Sequence, residues 1–236
     1  MYKNGIKYKT DKITHHGYER FYDFYLNYYK NKNIKLFEIG IDAGRSLKMW
    51  SDMFSNGKIY GMDIDHEYDH PKGKIYKGDQ SSKKDLQKII NQLNTVDIII
   101  DDGSHKPEDQ LFSFNNLFYN FLNFNGLYII EDIETSYWQD GVLYNNKINS
   151  GYDKENNIVN IFRNIADIVN REFLLEKNIQ LIKNYNKIDY NCLKYISSIT
   201  FGSNCIIIKK MSQSEYNKYG NRKYRFLSNL FLPNSG

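Results

Sequence analysis

Short apolar runs alternate with amphipathic stretches along the first 130 residues of the chain. Five short runs are predicted as strands, at 35–39, 58–64, 74–77, 96–100 and 126–130, and the last two have the apolar character of buried strands. Between them, apolar residues recur every three or four positions, which predicts helices at 47–50, 86–93 and 111–124. This alternation of strand and helix predicts a Rossmann-like α/β domain with a mostly parallel sheet.

The two ends of the chain follow other patterns. Aromatic residues at 18–29 have the spacing of an amphipathic helix, and 158–175 predicts a further helix. The β-rich segments 194–200 and 204–209 predict a closing antiparallel hairpin, while the polar segment 140–157 predicts a loop over the site. We therefore divide the chain into a helical cap, an α/β domain and a tail, at 1–34, 35–210 and 211–236.

The composition suits one α/β domain of 236 residues, with 41% hydrophobic and 25% charged residues. The net charge of +4 is dispersed, which argues against a nucleic-acid partner, and we interpret the basic cluster at 222–225 as a solvated face. No apolar run approaches the roughly 20 residues of a membrane helix, and 1–11 lacks the apolar stretch of a signal peptide. We expect a cytoplasmic protein without a membrane partner, with Cys192 and Cys205 as buried free thiols.

Polar residues and glycines follow three predicted strands, at the edge where α/β sheets bind ligands. Gly40 and Gly44 predict a tight turn that lies close to a ligand. Asp63 follows Glu38 by about 25 residues, where an acid can accept hydrogen bonds from both ribose hydroxyls. The next strand is followed by two side chains suited to contact an adenine ring, Asp79 and Gln80. An NAD-dependent dehydrogenase competes here, but the widely spaced glycines favour S-adenosylmethionine, which has no pyrophosphate to cradle.

Acidic residues crowd the ends of the fourth and fifth strands. Asp101-Asp102-Gly103-Ser104-His105 ends one strand and Glu131-Asp132 ends the other. Unpaired carboxylates that lie together repel each other, and Mg²⁺ with its preference for oxygen ligands removes that cost. The sequence therefore predicts a metal site with three ligands, Asp102, Glu131 and Asp132. The alternative is that some of these acids cap the helices that follow.

His105 is the predicted general base. A neutral imidazole beside the metal can take a proton from a coordinated hydroxyl, whose oxygen then attacks the sulfonium methyl group. The alternative is a surface histidine with a structural role.

These motifs resemble the Mg²⁺-dependent, S-adenosylmethionine-dependent O-methyltransferases that tailor macrolide sugars, the macrocin and mycinamicin type, with cephalosporin-hydroxylase-like relatives. The similarity lies in Asp11-Lys12 with His16 and Tyr18, in 37–50, 61–63 and 78–80, in 101–110, and in 126–138. The resemblance implies a class I methyltransferase fold with a mostly parallel seven-stranded sheet, a C-terminal antiparallel hairpin and helices on both faces. It implies Asp102, Glu131 and Asp132 as metal ligands and His105 as the base. The implied cofactor contacts are Tyr18, Glu38, Gly40, Gly44, Ser46, Asp63, Asp79, Gln80 and Asp101.

The function predicted on these grounds is O-methylation of a sugar or glycan hydroxyl, with S-adenosylmethionine and Mg²⁺ or another divalent cation as cofactors. A catechol or other phenol is an alternative acceptor, because a metal can chelate its adjacent oxygens in the same way. A non-catalytic Rossmann module is a third interpretation, and the intact acidic cluster argues against it. The resemblance also allows a homo-oligomer, in which the aromatic helix at 18–29 lies at an interface or in the core.

Overall fold

A single eight-stranded sheet organises the computed structural model, which describes residues 1–143, 146–170 and 187–220. Its strands are β1 (Lys35–Ile39), β2 (Lys58–Asp63), β3 (Tyr68–His70), β4 (Gly73–Lys77), β5 (Val96–Asp101), β6 (Leu122–Glu131), β9 (Ile196–Gly202) and β10 (Cys205–Lys210). They lie in the order β3-β4-β2-β1-β5-β6-β10-β9, and β7 (Gly141–Leu143) pairs with β8 (Asn146–Ile148) in a separate hairpin.

The central strands β4, β2, β1, β5 and β6 are parallel, whereas β10 runs antiparallel to both β6 and β9. The predicted mostly parallel sheet and C-terminal hairpin are therefore confirmed. The sheet has one strand more than the predicted seven, because β3 pairs antiparallel with the edge of β4. This three-residue strand, Tyr-Asp-His, is too short and too polar to give an apolar pattern.

Helices cover both faces of the sheet, as predicted. The described α-helices are α1 (Tyr2–Tyr8), α2 (Asp11–Thr14), α3 (Glu19–Leu26), α4 (Arg45–Met53), α5 (Lys83–Leu93), α6 (Pro107–Leu117), α7 (Ile158–Asn164), α8 (Ala166–Val169), α9 (Tyr190–Leu193) and α10 (Gln213–Glu215). Short 3₁₀ turns occupy Asn27–Tyr29 and Ile133–Tyr137. One apolar core joins the sheet to α5, α6 and α7, and a second joins the opposite face to α3 and α4. Among the described residues, no helix has the length and apolar character needed to cross a membrane.

Two predicted helices have different bounds in the structure. The helix predicted at 111–124 ends at Leu117, because Leu122 already begins β6 and Asn123 bonds to Asp97 across the strands. The helix predicted at 158–175 is broken after Asn164 into α7 and α8, and residues 171–175 lie outside the described part of the chain. The predicted loop at 140–157 contains the β7–β8 hairpin.

The segment 1–34 packs its aromatic residues into the same core as β1. Tyr22 is fully buried, whereas Phe24 is 82% exposed, so the aromatic helix divides its rings between the core and the surface. Cys192 and Cys205 are buried free thiols, as predicted. The boundaries of the cap and the tail remain predictions, and both 221–236 and the basic cluster at 222–225 lie outside the described residues.

Candidate active site

One cavity of about 460 Å³ runs along the carboxyl ends of the parallel strands. The loop after β2 lines one end, from Asp63 to His66, and the glycine turn after β1 lines the middle. The other end is lined by Asp102, His105 and Asp132. Its size lies within the range of roughly 300–1,000 Å³ that is usual for small-molecule sites.

The glycine turn brings β1 and β5 into backbone contact. Gly40 has a φ of +82°, and a Cβ atom at this position would lie 1.9 Å from the carbonyl oxygen of Asp102. Only glycine fits both the torsion and the space. The turn therefore places the cavity wall directly against the strand end that carries Asp102.

Asp63 holds the glycine turn from the neighbouring strand. Its Oδ2 accepts hydrogen bonds from the backbone N–H groups of Ile41, at 2.9 Å, and Asp42, at 3.3 Å. Its Oδ1 accepts from Asp65 at 2.9 Å and His66 at 3.2 Å. Burial would raise the pKa of Asp63, but these backbone donors more than offset burial and lower it. Asp63 is thus a fixed, ionised acceptor at one end of the cavity.

Gln80 bonds to the end of β5, to α6 and to the loop between them rather than leaving its amide free for a ligand. Its Nε2 donates to Asp101 Oδ1 at 3.1 Å and to the Ser113 hydroxyl at 3.0 Å, and its Oε1 accepts from the Ser104 N–H at 2.6 Å. Burial raises the pKa of Asp101 to about 7. Asp79 also lines the cavity, where its Oδ1 accepts from the N–H and the hydroxyl of Ser81.

Three potential metal-binding side chains converge at the other end of the cavity. One ligand atom each from Asp102, His105 and Asp132 lies within 4.8 Å of the others. His105 Nε2 lies 3.8 Å from Asp132 Oδ2. Both residues have a positive φ, +55° for His105 and +51° for Asp132, which is uncommon for residues other than glycine.

Residues from the N-terminal segment and from the β9–β10 turn hold the carboxylate of Asp132. Tyr18 donates to its Oδ1 at 2.6 Å, Asn204 Nδ2 donates to the same oxygen at 3.1 Å, and His16 Nε2 lies 3.5 Å away. No motif in the sequence points to Asn204, which lies in the β9–β10 turn. His16 lies in a segment that carries the resemblance to sugar O-methyltransferases, but no role is predicted for it.

Lys12 is the second feature that the sequence did not predict. It is 1% exposed, and its ammonium group lies 3.2 Å from Glu38 Oε1 and 2.5 Å from Asp102 Oδ2. It also bonds to Glu131 Oε2. Burial would lower the pKa of Lys12, but the three carboxylates outweigh burial and raise it well above its usual value. The buried ammonium group of Lys12 therefore connects Glu38 on β1 to the acidic residues at the ends of β5 and β6.

Glu38 and Glu131 face this cation and not the cavity. Glu38 Oε2 accepts from the Ser46 hydroxyl at 2.8 Å and from Trp50 Nε1 at 3.2 Å. Glu131 Oε1 accepts from the Tyr22 hydroxyl at 2.5 Å. Burial raises the pKa of both carboxyl groups, although Lys12 opposes this shift.

The structure thus separates the predicted site residues into two groups. Those on the cavity wall are Gly40, Ser46, Asp63, Asp79, Gln80, Asp102, His105 and Asp132. Those behind the wall are Tyr18, Glu38, Gly44, Asp101 and Glu131. Their individual roles remain predictions.

The residues fit the predicted cofactors. The two carboxylates of Asp102 and Asp132 supply oxygen donors of the kind that a hard divalent cation prefers. The backbone approach at Gly40 and the fixed carboxylate of Asp63 suit a nucleoside that lies over the turn.

The sheet and the position of its cavity are those of the Rossmann-like methyltransferase fold. A solved structure of MycE methyltransferase from the mycinamycin biosynthetic pathway, in complex with Mg, SAH and mycinamycin VI, matches 89% of this chain and 53% of its own with a TM-score of 0.75 and 26% identity. A second MycE structure, in complex with Mg and SAH, matches the whole chain and 58% of its own with a TM-score of 0.79 and 23% identity.

Curated sugar O-methyltransferases are similar over about half of this chain. An 8-demethyl-8-alpha-L-rhamnosyl tetracenomycin-C 2'-O-methyltransferase of Streptomyces olivaceus is 32% identical over 142 residues, which are 56% of this chain and 37% of that protein. A mycinamicin VI 2''-O-methyltransferase of Micromonospora griseorubida is 36% identical over 52% of this chain and 33% of that protein. The matched region spans about a third of each of these relatives. No protein-family model matches the chain.

Proposed function

We propose that the chain is an S-adenosylmethionine- and divalent-metal-dependent O-methyltransferase that acts on a sugar hydroxyl of a glycosylated small molecule. One observation carries this proposal: a single cavity joins the nucleoside end at Asp63 to the acidic end at Asp102, His105 and Asp132. The similarity to curated sugar O-methyltransferases and to MycE, whose complex holds Mg, SAH and mycinamycin VI, supports the substrate class.

In this proposal the chain holds its reactants along the cavity. Asp63 accepts the ribose hydroxyls, and Gly40 lets the backbone lie against the nucleoside. Asp102 and Asp132 hold the divalent cation, and the prediction that Glu131 is a third ligand is retained. When bound, S-adenosylmethionine supplies the methyl group and the cation lowers the pKa of the acceptor hydroxyl.

In the proposed reaction, His105 accepts the proton of the acceptor hydroxyl. As the bond from the methyl group to sulfur breaks and the bond to the acceptor oxygen forms, the hydroxyl proton passes to the imidazole of His105. The products are a methyl ether, S-adenosylhomocysteine and a proton that His105 returns to solvent. Asp132 lies close to this imidazole, with its Oδ2 3.8 Å from His105 Nε2.

Calorimetric titration with S-adenosylhomocysteine, in Mg²⁺ and then in EDTA, tests the cofactor. Binding at micromolar concentration is the expected result. Absence of binding in both buffers would refute the methyltransferase proposal. A panel of rhamnosides, other glycosides and catechols then tests the acceptor, and activity on catechols alone would refute the sugar class.

The metal role is tested with a matched pair of variants. Asp132→Asn is expected to weaken Mg²⁺ binding by at least about tenfold, whereas Asp140→Asn changes a surface carboxylate that is 84% exposed. Full activity of the wild-type protein in EDTA would refute the metal dependence.

A further inference from the structure

Lys12 lies at the centre of an acidic cluster formed by Glu38, Asp102 and Glu131. Its side chain is 2% exposed, and its ammonium group contacts three carboxylates that come from three different strands, β1, β5 and β6. Two of these carboxylates, on Asp102 and Glu131, are predicted metal ligands. The carboxylates of Asp102 and Glu131 that contact Lys12 are therefore also predicted ligands of the divalent cation.

This ion cluster is short of positive charge. Lys12 contacts the buried carboxylates of Glu38 and Glu131 and the part-buried carboxylate of Asp102, and Asp132 adds a fourth acid nearby. One ammonium group cannot neutralise this set, and burial raises the cost of the excess negative charge. A divalent cation beside Asp102 and Asp132 would offset part of this excess.

The contacts of Lys12 reach from the metal ligands to the cofactor turn. Glu38, which Lys12 contacts at 3.2 Å, also accepts hydrogen bonds from Ser46 at the start of α4. The neighbouring residues Thr10 and Asp11 line the cavity. A movement of the ammonium group away from Asp102 would therefore change contacts both at the predicted metal ligands and at the glycine turn.

We propose that Lys12 competes with the divalent cation for Asp102 and Glu131, so that metal binding requires the ammonium group to release at least one of these carboxylates. Lys12 thus sets the metal affinity and holds the acidic cluster together until the metal binds. This inference rests on the proposed metal dependence. It makes Lys12 a positioning residue and not a general base, because a base must shed its proton and Lys12 is held as a cation by three carboxylates.

The test compares Lys12→Met with Lys210→Met by Mg²⁺ calorimetry and by thermal unfolding with and without Mg²⁺. Lys210 is a matched control, since it is 3% exposed and, within the described part of the chain, donates to the backbone carbonyls of Phe118, Tyr119 and Leu122 and to no carboxylate. We expect Lys12→Met to bind Mg²⁺ about tenfold more tightly or better, because a like charge is removed beside the ligands. Its gain in unfolding temperature on adding Mg²⁺ should exceed that of the wild-type protein. Lys210→Met should lose stability without any change in Mg²⁺ affinity.

The outcomes separate this inference from the proposed function. Mg²⁺ binding by the wild-type protein with unchanged or weaker binding by Lys12→Met would overturn the competition alone. No binding by either protein would overturn the proposed metal dependence as well. If Lys12→Met fails to fold without metal, the same measurements are made on Lys12→Gln. Recovery of folded Lys12→Gln on addition of Mg²⁺ supports the inference, and failure to recover at any Mg²⁺ concentration contradicts it.

Discussion

The hydroxyl group of Tyr18 donates a 2.6 Å hydrogen bond to Asp132 Oδ1 and accepts a 3.2 Å hydrogen bond from the backbone N–H of the same residue. Tyr18 is fully buried, and its ring stacks on those of His16 and Tyr22. One rigid side chain therefore fixes both the backbone and the carboxylate of Asp132. The second oxygen, Oδ2, is left directed towards His105.

Tyr18→Phe is expected to weaken Mg²⁺ binding by about tenfold, because residues that orient metal ligands commonly contribute this much. It should also lower the free energy of unfolding by about 1–3 kcal/mol. Tyr29→Phe is the control, since its hydroxyl donates to the Asn125 carbonyl at 2.5 Å, away from the site. Calorimetry and urea unfolding measure both effects. Equal Mg²⁺ affinities in the two variants would mean that Tyr18 does not orient a ligand.

His105→Gln distinguishes a base from a metal ligand. If His105 is the base, turnover on the best acceptor falls by at least about a hundredfold, while the affinities for S-adenosylhomocysteine and Mg²⁺ stay within about twofold. His70→Gln, outside the cavity wall, should leave all three quantities unchanged. A large loss of Mg²⁺ affinity in His105→Gln would instead assign the imidazole to the metal, beside Asp102 and Asp132.

Gly40→Ala is expected to destabilise the protein by more than about 2 kcal/mol and to abolish cofactor binding, because its Cβ would overlap the Asp102 carbonyl. Gly17→Ala separates the effect of the torsion from that of the overlap. Gly17 also has a positive φ, +64°, but its nearest neighbour would be the Arg20 side chain at 3.4 Å. This control should cost only about 1 kcal/mol. Urea unfolding of both variants measures the difference, and similar losses would argue against the close approach.

The two cysteines should be unreactive in the folded protein. Burial raises the pKa of Cys192 and of Cys205 to about 12, so both remain protonated thiols at pH 8. The reactive thiolate is therefore about a thousandfold scarcer than in a free cysteine. A thiol reagent at pH 8 should modify neither residue until guanidinium unfolds the chain, after which both react. Rapid modification of the native protein would contradict this, and Cys192→Ser and Cys205→Ser identify the thiol responsible.

The positions of the central strands and the edge of the sheet that carries the site could be predicted because both rest on local pattern. The runs at 35–39 and 96–100 are mostly apolar, which is typical of strands buried on both faces, and residues at their carboxyl ends meet by topology. Edge strand β3 has no such pattern. Its pairing depends on the adjacent strand β4, which a local window does not include.

The sequence could not predict which carboxylates face the cavity. Glu131 and Asp132 are consecutive, yet Glu131 turns to Lys12 whereas Asp132 turns to His105. That choice depends on Lys12 and Tyr22, which are more than 100 positions away along the chain. Charge pairing across such distances is a property of the folded core, and a motif specifies only the residue types.

The bond network around Asp132 joins Tyr18 to Asn204, two residues separated by 186 positions. Closing such a large loop is entropically costly and has to precede the contacts that reward it. A nascent chain that has not yet emerged as far as the β9–β10 turn therefore lacks part of the support for its acidic pocket. In the proposed enzyme, the acidic pocket is therefore complete only when these two distant parts of the chain have packed together.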